Sequence, residues 1–62
     1  MVDDIEVTGE ILDETEHGLH MRDSFGKQYW LPKSQIKSQY AADGNGVIVQ
    51  MPYWLARERG AI

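Results

Sequence analysis

The chain has 62 residues, no cysteine and a formal net charge of −4, with 42% hydrophobic and 26% charged residues. This length holds one domain, spanning residues 1–62, which buries only about 60% of its unfolded surface; without thiols, neither disulfides nor cysteine-ligated metal can staple so small a core. No apolar run approaches the ~18 residues of a membrane-spanning helix, and the opening Met-Val-Asp-Asp is not the cationic start of a signal peptide, so the expectation is a soluble cytoplasmic protein with no membrane partner.

Charge is unevenly placed. Residues 1–16 carry seven acids and no base, whereas residues 17–62 carry three acids and six bases, so the two parts read as −7 and +3. A strand built from the first part presents a local negative field.

Between Asp4 and Asp13 the side chains alternate, with Ile5, Val7 and Ile11 on one face and Asp4, Glu6, Thr8 and Glu10 on the other, which predicts a half-buried strand. Gly9 falls on the apolar face, where a missing side chain predicts a bulge or a close approach by another element. After a polar stretch, Leu19 and Met21 alternate with His20 and Arg22, and Asp23-Ser24-Phe25-Gly26-Lys27 supplies turn chemistry. A hairpin follows, with a return strand over 27–31 that puts Tyr29 and Leu31 on one face and Gln28 and Trp30 on the other.

Pro32 ends that strand, and the polar stretch from Pro32 to Tyr40, with Ile36 as a buried plug, predicts a short helical turn. Asp43-Gly44-Asn45-Gly46 is rich in residues that accept positive φ and leads into the β-branched strand Val47-Ile48-Val49-Gln50-Met51. Pro52 then opens a helix over Tyr53 to Arg59, with Arg57 and Arg59 at its negative end and Gly60 stopping it. Eight residues hold no stable helix alone. Leu55, with Trp54 or Tyr53, is therefore expected to dock on the sheet. The predicted fold is mainly β: about four strands in a small, partly open antiparallel barrel or sheet of SH3-like type, with a short C-terminal helix.

Catalytic chemistry finds little support. His17 and His20 stand three apart, a spacing that aligns metal ligands on a helix but sends them to opposite faces of a strand, so no metal site is expected. Ser24, Ser34 and Ser38 lack a concave site in which to meet a histidine base. Glu6 and Glu10 share an exposed face without the burial that would make either a general acid. Gly44-Asn45-Gly46 lacks the lysine and helix start of a phosphate-binding loop. Neither an enzyme nor a cofactor is expected.

Two surfaces remain. The first is the acidic stripe of Asp4, Glu6, Glu10 and Asp13, continued by Glu14 and Glu16, which suits a protein partner with a basic surface and equally suits an edge strand guarded against unwanted pairing. Trp30 or Trp54 would be the anchoring aromatic. The second is the set Tyr29, Trp30, Lys33 and Lys37, with Tyr40, Arg22 and Lys27 nearby, the mixture of rings and cations on which single-stranded nucleic acid stacks. The net charge of −4 opposes that second use. Self-association into a homo-oligomer is a third route, because it would supply apolar burial that 62 residues lack.

At Trp30-Leu31-Pro32-Lys33-Ser34-Gln35-Ile36, and again at Met51-Pro52-Tyr53-Trp54-Leu55-Ala56-Arg57 with Gly60, the chain resembles small uncharacterised proteins encoded by bacteriophages and prophages. The resemblance covers about residues 28 to 61 and leaves the acidic first segment outside. It implies a phage accessory role and supplies no catalytic residue. By analogy with anti-CRISPR and other anti-defence inhibitors, the expectation is stoichiometric action on a host or phage protein through the acidic surface; the alternative is an accessory single-strand binder in phage replication or recombination.

Overall fold

The structure is a computed structural model that describes residues 3–42, 44 and 46–62. Five strands and one helix follow each other: β1 (Asp4–Glu14), β2 (Gly18–Asp23), β3 (Gln28–Pro32), a 3-10 turn at Lys33–Gln35, β4 (Ser38–Ala41), β5 (Val47–Pro52) and α1 (Tyr53–Arg59). All neighbours are antiparallel in one open sheet of order β3-β2-β1-β5-β4. The mainly β reading with a C-terminal helix therefore holds, with five strands in place of about four.

The fifth strand is β4, within the polar stretch expected to form a helical turn; that turn occupies only Lys33–Gln35. All four residues of β4 are exposed. Nothing in Ser38-Gln39-Tyr40-Ala41 alternates in hydropathy, and pairing with the edge of β5 makes it a strand.

β1 is long because it serves two ladders. Asp4 to Gly9 pair with β5, and Gly9 to Glu14 pair with β2, with a register irregularity between Ile11 and Asp13. Gly9 is the crossing point. A Cβ built there would sit 2.2 Å from the Arg22 carbonyl oxygen and 2.8 Å from the Asp23 Cα, so the strands come together only around a missing side chain.

The inner face carries the core. Val7, Leu19, Met21, Tyr29, Leu31, Val49 and Met51 are buried from the sheet, Leu55 and Ala56 from α1, and Ile5, Ile11, Ile36, Val47 and Ala61 pack around them. Helix docking uses Leu55 and the small Ala56, while Tyr53 and Trp54 stay half exposed, so the expected docking of one of those rings is corrected. Gly60 ends the helix at φ 81°, its N–H reaching the Arg57 carbonyl at 3.1 Å.

The β2–β3 hairpin closes through the expected turn. Gly26 N–H donates to the Asp23 carbonyl (2.9 Å), Asp23 N–H to the Lys27 carbonyl (2.8 Å), and Gly26 takes φ 88°. The buried Asp23 carboxylate knots it together: Oδ1 accepts from the backbone N–H of Phe25 (3.0 Å) and Lys27 (2.9 Å), and Oδ2 accepts from the Tyr29 hydroxyl (3.1 Å). Of the turn expected over residues 43–46, Asp43 and Asn45 lie outside the described residues; Gly44 has φ 74°, and Ala42 N–H donates to the Gly46 carbonyl at 3.0 Å.

Candidate functional site

With α1 on the inner face, the outer face of the sheet is left uncovered, and register assembles its side chains into rows. His20 on β2 lies opposite Trp30 on β3 and Asp13 on β1, so Asp13, His20 and Trp30 form one row. The two rings stack with centroids 4.9 Å apart and planes 10° from parallel. Trp30 is thus held in place by its neighbour while 44% of it faces solvent, the combination of order and exposure that suits an anchoring side chain. The next row holds Glu10, Arg22 and Gln28, with an ion pair between Arg22 and Glu10. Further along come Thr8, Ile48 and Tyr40, then Glu6, Gln50 and Ser38.

The acidic stripe of Asp4, Glu6, Glu10 and Asp13 lies on this face, while Glu14 falls opposite the buried Leu19; the strand that bears it pairs with β5 only as far as Gly9 and with β2 only from Gly9 onward, so each half keeps one unpaired side. The acids of β1 also differ. Glu10 pairs with Arg22, Glu14 with Lys33 (2.5 Å), and Glu6 accepts a hydrogen bond from the Tyr40 hydroxyl across β5. That bond holds the Tyr40 phenol above its ordinary pKa, since ionisation would lose the bond and set two negative charges together. Among the described residues no ion pair engages Asp4 or Asp13. Asp13, exposed beside the His20–Trp30 stack, accepts from its neighbour's backbone N–H, that of Glu14 (2.8 Å).

The ring-and-cation set does not assemble. Tyr29 is 7% exposed and faces the core, with its hydroxyl committed to Asp23, so no base stacks on it; burial first, then the Asp23 hydrogen bond, raises its phenol well above the ordinary tyrosine value. Lys33 is tied to Glu14. Lys37 lies elsewhere, in a surface groove of about 430 Å³ with Asp3, Asp4, Gln35, Pro52, Tyr53 and Trp54. Trp54, 52% exposed on α1, belongs to this second patch, so the two tryptophans do not share one surface.

His17 is exposed and its carbonyl accepts from the Lys33 N–H (2.9 Å), while His20 is the support for Trp30. Among the described residues no group of three or more His, Asp or Glu side chains gathers as metal ligands, and no helix is long and apolar enough to cross a membrane. Two contributors escaped the sequence reading. His20 is recoverable, because the three-residue loop Ser24–Gly26 sets a register that brings it opposite Trp30. Phe25, 90% exposed at the hairpin tip, occupies a turn position from which no side chain reaches the core. No family model, curated protein or solved structure matches the chain.

Proposed function

We propose that this protein acts stoichiometrically, by binding another protein through the outer face of its sheet. The row Asp13-His20-Trp30 is the centre of contact, and Trp30 is the anchor. The observation that carries the reading is a tryptophan fixed by stacking on His20 and still 44% exposed: its ordering cost is met before binding, and its ring is available to be buried. Around it lie an arginine, a histidine, a glutamate and an aspartate: a tryptophan with an arginine is what interface centres are enriched in, and the carboxylates suit the polar rim around them.

Asp13 beside an exposed indole suits an arginine or lysine from the partner, which would meet a carboxylate and a ring together. A partner with a basic surface follows. In the setting implied by the resemblance to phage and prophage proteins, that partner is a host or phage protein with a nucleic-acid-binding surface, and the outcome is inhibition of the anti-defence type in the bacterial cytoplasm. Nucleic acid itself fits this face less well, because Glu6 and Glu10 project from the same side and the lysines that would follow a phosphate chain are paired or elsewhere.

The test is capture from a bacterial host lysate by tagged wild-type protein and by Trp30→Ala, with bound proteins identified by mass spectrometry. The expected result is a stoichiometric protein lost at least about tenfold in the variant, whose far-ultraviolet dichroism is unchanged. A partner retained equally by folded Trp30→Ala protein refutes the assignment of the face.

A further inference from the structure

We propose that β4 is the docking edge for a second copy of this chain, pairing antiparallel with the partner's β4 about Tyr40. This interface is separate from the outer-face site.

An open sheet has two edges, and here they are treated differently. In β3 the residues whose backbone points away from β2 are Gln28, Trp30 and Pro32, given that Asp23 and Lys27 form a hydrogen-bonded pair and such pairs alternate along the ladder. Pro32 has no N–H to offer, and the Trp30 carbonyl is already occupied by the Arg59 guanidinium (Nε to O, 2.8 Å), reaching over from the end of α1. This edge is closed by two of the devices that prevent strand addition.

In β4 the pair Ala42–Gly46 fixes the alternation, so Ser38 and Tyr40 face β5 and the N–H and C=O of Gln39 and Ala41 point outward. All four residues are exposed, none is charged and none is proline. Among the described residues no side chain or backbone group bonds those outward groups.

The segment is its own complement. A twofold axis at Tyr40 sets Gln39 opposite the partner copy's Ala41 and uses every outward N–H and C=O on both copies. Registers centred on Gln39 or Ala41 leave part of them unused. In the same arrangement the two Tyr40 residues oppose each other at a non-hydrogen-bonded position on the outer face, each phenol reaching back over β5 to Glu6 of its own copy. No residue of β4 is itself charged, so the paired segments do not repel each other. The two sheets become one, and the Trp30 faces lie at opposite ends of a bivalent particle.

Sedimentation velocity over a wide concentration range tests this. Wild-type protein should move from the 7.1 kDa chain towards twice that mass as concentration rises. Gln39→Pro removes an outward donor without touching the β5 ladder; it should remain monomeric, at least about tenfold weaker in association, with unchanged dichroism. Should that variant unfold, a charge swap replaces it. Protein carrying both Gln39→Lys and Ala41→Lys, and protein carrying both Gln39→Glu and Ala41→Glu, should each be monomeric alone and dimerise when mixed. A wild-type chain that stays monomeric up to about 1 mM, a folded Gln39→Pro protein that associates like wild type, or a mixture that fails to pair overturns the proposal.

Discussion

Replacing Asp23 by alanine should remove a large part of the stability of this domain. The carboxylate is 6% exposed and accepts from three donors: two turn N–H groups and the buried Tyr29 hydroxyl. Losing a partner costs a buried donor about 1–3 kcal/mol, and a part-solvated amide about 0.5–1.5 kcal/mol, so Asp23→Ala should cost about 3 kcal/mol. A domain of this size has roughly 3–9 kcal/mol in all, so the urea midpoint, followed by tryptophan fluorescence, should fall by a third or more. Tyr29→Phe alone should cost about 1 kcal/mol and almost nothing once Asp23 is alanine, because the two act as one unit.

The same pair fixes a pH dependence. Tyr29 has a higher pKa in the folded chain than in the unfolded one, so the folded state holds the phenolic proton more tightly. Its stabilisation is complete below the unfolded tyrosine value near pH 10 and declines as pH rises from there towards the folded value, at up to about 1.4 kcal/mol per pH unit. The difference between wild type and Tyr29→Phe isolates this slope from the lysines that titrate in the same range. An Asp23→Ala loss under about 1 kcal/mol, or a Tyr29→Phe cost that is equal in both backgrounds, would refute the reasoning.

Gly9→Ala should be more damaging than the loss of any surface side chain: its Cβ meets backbone at 2.2 Å, the β1–β2 crossing must open, and a cost of about 3 kcal/mol or failure to fold is expected by thermal melting. A Gly9→Ala protein with a wild-type melting temperature contradicts the crossing geometry. Asp13→Lys and Glu10→Lys should separate binding from folding. Glu10→Lys breaks the exposed pair with Arg22 and sets two cations side by side, costing about 1 kcal/mol of stability, whereas Asp13→Lys should leave stability within about 0.5 kcal/mol while slowing association with the captured partner and flattening its salt dependence. Equal association rates for Asp13→Lys and wild type, measured by surface resonance at low salt, would remove Asp13 from the contact.

What was legible in the sequence was whatever an element states about itself. The alternation of Ile5, Val7 and Ile11, the Asp23–Gly26 turn, and the Pro52 and Gly60 that frame α1 all carry their structure in local chemistry. The β4 strand does not, since four polar or small residues become a strand only because β5 presents them with a ladder. The site shows the same division. Tyr29, Trp30, Lys33 and Lys37 look like one patch along the chain, yet strand alternation buries Tyr29 and turns Trp30 outward, while the 3-10 turn carries Lys37 to another side. His20 became visible only through register, a relation between two strands that neither one states alone.

The uneven charge has a structural meaning that composition alone conceals. Three acids of β1 each find a partner from the rest of the chain: Glu6 reaches Tyr40 on β4, Glu10 reaches Arg22 on β2, and Glu14 reaches Lys33 beyond β3. The central strand thus spends much of its charge binding both flanks of the sheet to itself. Each contact is exposed and individually weak, but all pull towards β1, and two of the six bases of residues 17–62, Arg22 and Lys33, are engaged there. The field that reaches a partner then comes from the acids that no ion pair engages among the described residues, Asp3 and Asp4 at one end of β1 and Asp13 with Glu16 at the other. The first end shares a groove with Trp54, whereas at the second the half-exposed indole of Trp30 is held by stacking on His20. Steering and anchoring therefore coincide at Asp13 and Trp30.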